Sequence, residues 1–458
     1  MNNIDLTRIL NQIPDYKEFM TISELDNSSK RLAEEFTHVE MNKLGTSREG
    51  RPIYCLKIGK GEENALLFSF PHPNEPIGSM SLEFLSQFLA KNPEFTKKTG
   101  YTWYLIKAID IDGAILNEGW FKGKFTPLKY LKYYYRPAPY QQVEWSFPIN
   151  YKKLKFDSPG PETQALMHLI QKIKPKFMYS LHNSGFGGVY FYISYGIGTL
   201  FNDLVDFVNR EQLPLHLGEP EAPYIRKLHE GIFQMFGVQG QYNYLESYGI
   251  ENPQEFIKNG TSSYDYLKSV VSEKSFTLVC EMPYFYNISI GDTSLTEFER
   301  RELRMQSLEY EKEIAIEMKK NFRHIKKYCD KSTRMYTAVE GYIKILRPGL
   351  ELEINVTKTS PEYNGKATVS QAFDLNTAIK YYDLLTISMV VRLCEEAILI
   401  HSEKKLEITK IKNDLERWIE QKISDLLSNI KFGVIPIQKL VRVQIGSAFI
   451  TLENLNKE

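Results

Sequence analysis

The sequence predicts an α/β protein: a mixed, largely parallel sheet flanked by helices, with a mainly helical C-terminal extension. Three observations carry this. Short apolar runs of strand length alternate with segments of helical period through the first part of the chain. Two of those runs, ALLFSF and FTLVCEMP, are almost continuously apolar, as strands covered on both faces are. Beyond about Ser294 the composition turns charged and helical.

The elements follow in order. SELDNSSKRLAEEF reads as an opening helix, RPIYCLKIG as an extended segment, and ALLFSF as a strand stopped by Pro71. The turn PHPNEPIGS leads into a helix with Met80, Phe84, Leu85 and Phe88 on one side. TWYLIKAID is the next strand. From Leu128 to Tyr151 the chain is crowded with Tyr, Pro and Trp, an irregular excursion of the kind that shapes a site. PETQALMHLIQKI returns to helical spacing, KFMYSLH is a strand ending on His182, and FTLVCEMP a strand holding Glu281.

Farther on, Leu385, Met389, Leu393, Ala397 and Ile400 recur at helical spacing, as do residues from Ile408 to Ile430. Two amphipathic helices, antiparallel, are expected, packed on each other and on the body or forming a homodimer seam. Pro348 with Gly349, and then SPEYNG, mark loops between helices. The expected division is a catalytic domain over 1–329 and a helical region over 330–458.

At 458 residues the chain has room for two to four domains, and 42% hydrophobic residues supply a full core. Lys+Arg and Asp+Glu number 57 each, so no net positive field recruits nucleic acid or anionic membrane. Cys55, Cys280, Cys329 and Cys394 lie far apart with no CxxC pair, which argues against a disulfide framework and for a reducing cytoplasm. The N-terminus lacks a signal-peptide pattern, and the uncharged stretch from Asn183 to Asn202 is too rich in glycine to span a membrane. No G-x-S-x-G elbow occurs, and Cys280 alternates to the face opposite Glu281, so a serine or cysteine hydrolase is set aside.

In open α/β sheets, sites gather beyond the carboxyl ends of strands, and His72, His182 and Glu281 each fall at or just past such an end. His72 and Glu75, three residues apart in one turn, are spaced to grip a single ion. With a distant third ligand they make an open zinc site, which leaves a fourth position for water. H-x-x-E alone is a weak signal. Once Glu75 is assigned to a metal, Glu281 is the carboxylate left near a strand end.

Four blocks, GTSREGRPIYCLKIG, LLFSFPHPNEPIGSMSLEFL, PETQALMHLIQKIKPKFMYSLHNS and FTLVCEMP, occur in an order that resembles the M14 zinc carboxypeptidases. The resemblance implies that His72, Glu75 and His182 are zinc ligands and that Glu281 is the general base and acid. It also implies an arginine between the second and third ligands to stabilise the oxyanion. Arg136 is the one arginine in that span; the alternative for it is packing beside tyrosines. Tyr264 and Asp265 match the segment lining the family's specificity pocket, with Tyr264 either touching substrate or packing in the core. Asp110-Ile111-Asp112-Gly113 falls where the family has a structural turn.

One departure bears on substrate. Where the family has an Asn-Arg pair that holds the terminal carboxylate, this chain has Glu144, Trp145 and Ser146. Losing a bidentate arginine changes which peptide ends bind, unless Arg136 or Arg226 takes its place. Trp145, with Tyr133, Tyr134, Tyr135 and Tyr140, is expected to form an aromatic wall. The expected reaction is cleavage of an amide at or near a peptide C-terminus, with an unusual or modified end. The alternative is a zinc amidohydrolase acting on an acylated amino acid or small amide.

Overall fold

The structure, a computed structural model, describes residues 5–428 and 430–457. The opening helix Ile22–Glu35 starts where Thr21 and Glu24 satisfy each other's backbone in a capping box. The main sheet then runs, by position, Val39–Thr46, Pro52–Ile58, Tyr101–Ile106, Glu63–Phe68, Phe177–Phe186, Phe276–Tyr286, Tyr190–Ile193, Ile232–Gln234 and Lys227–His229. The four central strands, from Tyr101–Ile106 to Phe276–Tyr286, are parallel, while Val39–Thr46 and Pro52–Ile58 at one edge and Tyr190–Ile193 on the far side join antiparallel. This is the mixed, mostly parallel sheet with flanking helices that the alternation predicts. Every residue of Phe177–Phe186 is buried, which is why its sequence shows no polar alternation.

The helices Ile77–Lys91, Leu200–Arg210 and Ile437–Leu455 pack together against this sheet. The last of them comes from the C-terminal region yet lies almost wholly in the core. Its Gln444 accepts from Ser81 Oγ at 2.8 Å and donates to the His182 carbonyl at 3.0 Å.

The other C-terminal helices, Arg300–Ile325, Arg334–Thr359, Ile379–Ile400 and Lys405–Ser428, form a layered group. Leu385, Met389, Leu393 and Ala397 on one stripe and Ile408, Leu415, Ile419 and Ile423 on the other are buried within the chain. Each stripe therefore finds its partner in the same molecule.

Two local expectations change. The excursion after Leu128 begins as a helix, Pro127–Tyr133. Thr126 accepts from the Lys129 amide, and Pro127 occupies the first turn, where no amide hydrogen is needed. The helix Arg334–Thr359 runs through positions 348 and 349 without a break. The helix as a whole is packed against Arg300–Ile325 and Ile379–Ile400, and that packing outweighs a local breaker. The segment Pro361–Tyr363 is a short turn, as SPEYNG predicts. The four cysteines are free, and no helix among the described residues is long and apolar enough to cross a membrane.

Candidate metal centre and cleft

The turn that carries His72 and Glu75 is forced by its approach. Phe70, two residues past the strand Glu63–Phe68, has a φ of 56°, in the left-handed region that a bulky residue rarely adopts. Full burial of its ring, stacked on Phe121, offsets the strain. The chain then turns, and the Glu75 amide donates to the His72 carbonyl at 3.2 Å. Asn183, next to His182, ties the turn to the neighbouring strand. Its side-chain oxygen accepts from the Ile77 amide at 3.1 Å, and its own amide donates to Glu75 Oε2 at 3.2 Å.

His182 and Glu281 come together through strand register. On adjacent parallel strands His182 pairs with Glu281, and on the next, antiparallel strand Glu281 pairs with Tyr190. A row His182, Glu281, Tyr190 thus crosses the sheet beside the His72 turn. Ligand atoms of His72, Glu75 and His182 all lie within 4.8 Å of one another. His182 Nδ1 is 3.1 Å from Glu75 Oε2 and 3.6 Å from Glu281 Oε1.

The donor set fits a cation. Nδ1 of His72 is buried with no hydrogen-bond partner, and Nδ1 of His182 is buried facing Glu75 Oε2 at 3.1 Å without a well-aligned hydrogen bond, an arrangement that costs free energy unless something accepts their lone pairs. The outer nitrogen of His182 is held instead: Nε2 is 2.8 Å from Ser180 Oγ, which in turn donates to Glu144 Oε2 at 3.4 Å. Such outward bonds fix a ligand's tautomer with its other nitrogen facing inward. Glu144 also accepts from the Ser263 amide at 2.9 Å and from its hydroxyl at 2.8 Å.

Electrostatics separate the groups. Burial, helped by the positive charges of Arg136 and His182, holds His72 well below the usual imidazole range. Burial acts the same way on His182, but Glu281, Glu75 and Glu144 outweigh it and push it to about 9. Burial, with Glu75 and Glu221 nearby, pushes Glu281 well above the usual carboxyl range. Arg136 donates to Glu75 Oε1 at 2.9 Å and remains 20% exposed toward the cleft.

These residues open into a cavity of about 400 Å³. Trp145 lines it, leaning on Phe236 with ring centroids 5.6 Å apart, and Tyr134 lines it as well. Tyr133, Tyr135 and Tyr140 lie outside that wall, and Tyr190, Tyr192, Phe236 and Tyr382 supply aromatic surface there instead. Tyr264 and Asp265 also lie outside the lining. Their helix, Ser263–Val270, presents Ser262 to the cleft, while the Asp265 carboxylate accepts from the Thr261 hydroxyl. Arg226 is absent from the lining, leaving Arg136 as the one arginine on it among the described residues.

Sequence reasoning passed over His216, which lines the cleft with its Nε2 at 2.8 Å from the Glu219 carbonyl oxygen and 3.4 Å from Asp374 Oδ2. It also passed over Ser180, Asn183 and Tyr382, none of which carries a spacing signal of its own.

Solved structures similar to the chain include a carboxypeptidase A from Helicoverpa armigera, 15% identical with a TM-score of 0.39. That match covers 58% of this chain and 65% of the other, so this chain spans just under two thirds of that relative. Others are a putative metallopeptidase from Shewanella baltica (15%, TM-score 0.38, covering 59% and 90%) and a metallo-carboxypeptidase from Burkholderia cenocepacia (13%, TM-score 0.33, covering 58% and 60%). No curated protein matches. The family model described as zinc carboxypeptidase, Peptidase_M14, matches residues 26–344, well over half of the sequence and the whole stretch that carries the His72 turn, the His182 strand and Glu281. The chain belongs to the M14 family of zinc carboxypeptidases.

Proposed function

We propose that the protein is a zinc-dependent hydrolase that cleaves an amide bond at or near the C-terminus of a peptide whose end is modified or otherwise unusual. The observation that carries this is the convergence of His72, Glu75 and His182 within 4.8 Å, with neither inward nitrogen in a well-aligned hydrogen bond and Glu281 in register beside them. His72, Glu75 and His182 hold the ion. When bound, zinc supplies Lewis acidity and lowers the pKa of water. Glu281 takes the proton from the attacking water and delivers it to the leaving amine. Arg136 orients Glu75 through its 2.9 Å bond and turns its remaining N–H groups to the carbonyl oxygen as that gains charge.

The terminal clamp is the point of specificity. With Trp145 on the wall and Arg136 engaged by Glu75, a free L-carboxylate has no dedicated bidentate arginine in the cleft among the described residues. A charge-assisted bond contributes about 1.5–3 kcal/mol, so an unclamped acid binds at least about tenfold more weakly than a clamped one. The same wall supports a second reading, a zinc amidohydrolase that removes an acyl group from an amino acid or small amide. We infer a cytoplasmic site of action from the free cysteines.

The test is a mass-spectrometric screen of zinc-loaded protein against matched peptides with acid, amide and D-configured ends, and against N-acyl amino acids. Cleavage of the altered ends is expected, with about one zinc per chain that is lost in His72→Ala and His182→Ala. Full zinc occupancy in both variants, or strong preference for the free acid, would overturn the respective part of the reading.

A further inference from the structure

The cleft has two sides, set by the His182–Glu281–Tyr190 row. Because Glu281 must reach the leaving amine to protonate it, the leaving fragment lies toward Tyr190, across Glu281 from the ligands. The carbonyl and the acyl fragment then lie toward Arg136 and Glu75. That second side is walled by Tyr342 and, beyond the end of the family match at residue 344, by Ala378, Ile379, Tyr382 and Thr386 of the C-terminal helices. Tyr382 stands there.

Its setting is unusual for a packing residue. The Gly185 amide donates to Tyr382 Oη at 2.6 Å, which uses the oxygen as acceptor and fixes the ring over Gly185. No acceptor takes the hydroxyl's own hydrogen among the described residues. Tyr382 lines the same cavity as His72, Glu75, Arg136 and Glu281, which puts the phenol in the cleft that holds the reacting centre. The helix that carries it is held rigidly to the segment leading to Arg136. Tyr381 donates to the Pro127 carbonyl at 2.9 Å, Ser388 to that of Leu131 at 2.9 Å, and Arg392 to those of Tyr133 and Tyr134 at 2.8 and 3.0 Å. Just before this helix the chain makes a π-helical turn, Asp374–Ala378, of the kind found where a helix is re-phased to aim a side chain.

We propose that Tyr382 is a substrate-binding residue of the catalytic cleft that donates its phenolic hydrogen to the carbonyl oxygen of the scissile amide, beside Arg136. The inference rests on the hydrolase reading above. It makes the helical C-terminal region part of the active site, supplying a hydrogen-bond donor from outside the segment shared with the family.

Tyr382→Phe keeps the ring and removes the hydroxyl. Loss of one such donor is expected to lower kcat by about a hundred- to a thousandfold, with KM within about threefold and zinc content unchanged. Tyr381→Phe, which removes a buried hydroxyl from the same helix outside the cleft, measures the packing cost. A kcat for Tyr382→Phe within about threefold of wild type, or a loss of activity accompanied by a greater fall in Tm than in Tyr381→Phe or by lost zinc, overturns the proposal. If wild type cleaves none of the amides, the hydrolase reading fails on its own. Tyr382 is then judged by titrating a phosphonamidate peptide, whose tetrahedral oxygens mimic the charged carbonyl: weaker binding to Tyr382→Phe by about tenfold sustains it, and equal binding overturns it.

Discussion

Arg334 opens the helix Arg334–Thr359 and reaches back to three acids behind the His72 turn. One guanidinium nitrogen lies 2.8 and 3.1 Å from the two oxygens of Asp110, and another lies 3.2 Å from Asp112 and 4.0 Å from Glu162. The arginine side chain is 11% exposed and the acids are 2%, 0% and 7% exposed. Asp112 keeps a second partner in Arg51 at 2.6 Å, whereas Arg334 is the one cationic partner of Asp110 among the described residues. Arg334→Met retains the apolar stem and leaves Asp110 buried and unpaired. Breaking a buried pair in this way costs about 3–5 kcal/mol, against at most about 1 kcal/mol for an exposed one.

The effect should extend to the metal centre. Asp110 also accepts from the Gly113 amide at 3.0 Å, and Gly113 sits so close to Pro73 that an added Cβ would come within 2.6 Å of it. Loosening Asp110 therefore loosens the residue next to His72. Urea titration of Arg334→Met should show a loss of about 3–5 kcal/mol, little changed by salt, together with faster release of zinc to a chelator. Combined with Asp110→Asn, the double mutant should recover about 1.5 kcal/mol or more of the summed single losses. A loss below about 1 kcal/mol with no coupling would mean that these contacts behave as surface pairs and that the helix is not anchored here.

Three further outcomes are expected. Glu281→Gln should keep its zinc and lose turnover by about a hundredfold or more; wild-type rates would make Glu281 structural. Burial raises Asp374 to about 6, with His216 opposing, so between roughly pH 4 and pH 6 the folded protein retains a proton that the unfolded chain releases. Stability should therefore fall as pH rises through that window, and Asp374→Asn should flatten the slope; an identical pH profile in the variant would refute the assignment. Because both C-terminal stripes are buried within the chain, light scattering at micromolar concentration should report a monomer, and a dimer would require a surface other than these stripes.

What local chemistry can encode was legible from the order of residues alone. The His72–Glu75 pair is legible because both residues sit in one turn, and a three-residue spacing survives whatever the rest of the chain does. Strands such as Glu63–Phe68 and Phe276–Tyr286 are legible as apolar runs, and Ile379–Ile400 and Lys405–Ser428 as periodic stripes. The strands Lys227–His229 and Ile232–Gln234, three residues each, are too short for any period to show. Pro348 and Gly349 misled because a propensity of a few kcal/mol per residue is weaker than packing against two neighbouring helices.

Which residues meet was settled by long-range packing. Glu281 stands beside His182 because of the lateral order of strands, and apolar runs carry little information about which neighbour each will choose. Tyr264 and Asp265 fall outside the cleft lining while Ser262, the cap of their helix, lies on it, and the local pattern of SSYDY does not record which of these side chains the body will leave facing the cavity. His216, Tyr382, Arg334 and Gln444 reach the site or its supports from separate elements, and each looks in sequence like an ordinary polar or aromatic residue on a loop or helix. Contacts of that kind depend on the three-dimensional closure of segments hundreds of residues apart, and no local spacing records where such a closure will bring a side chain.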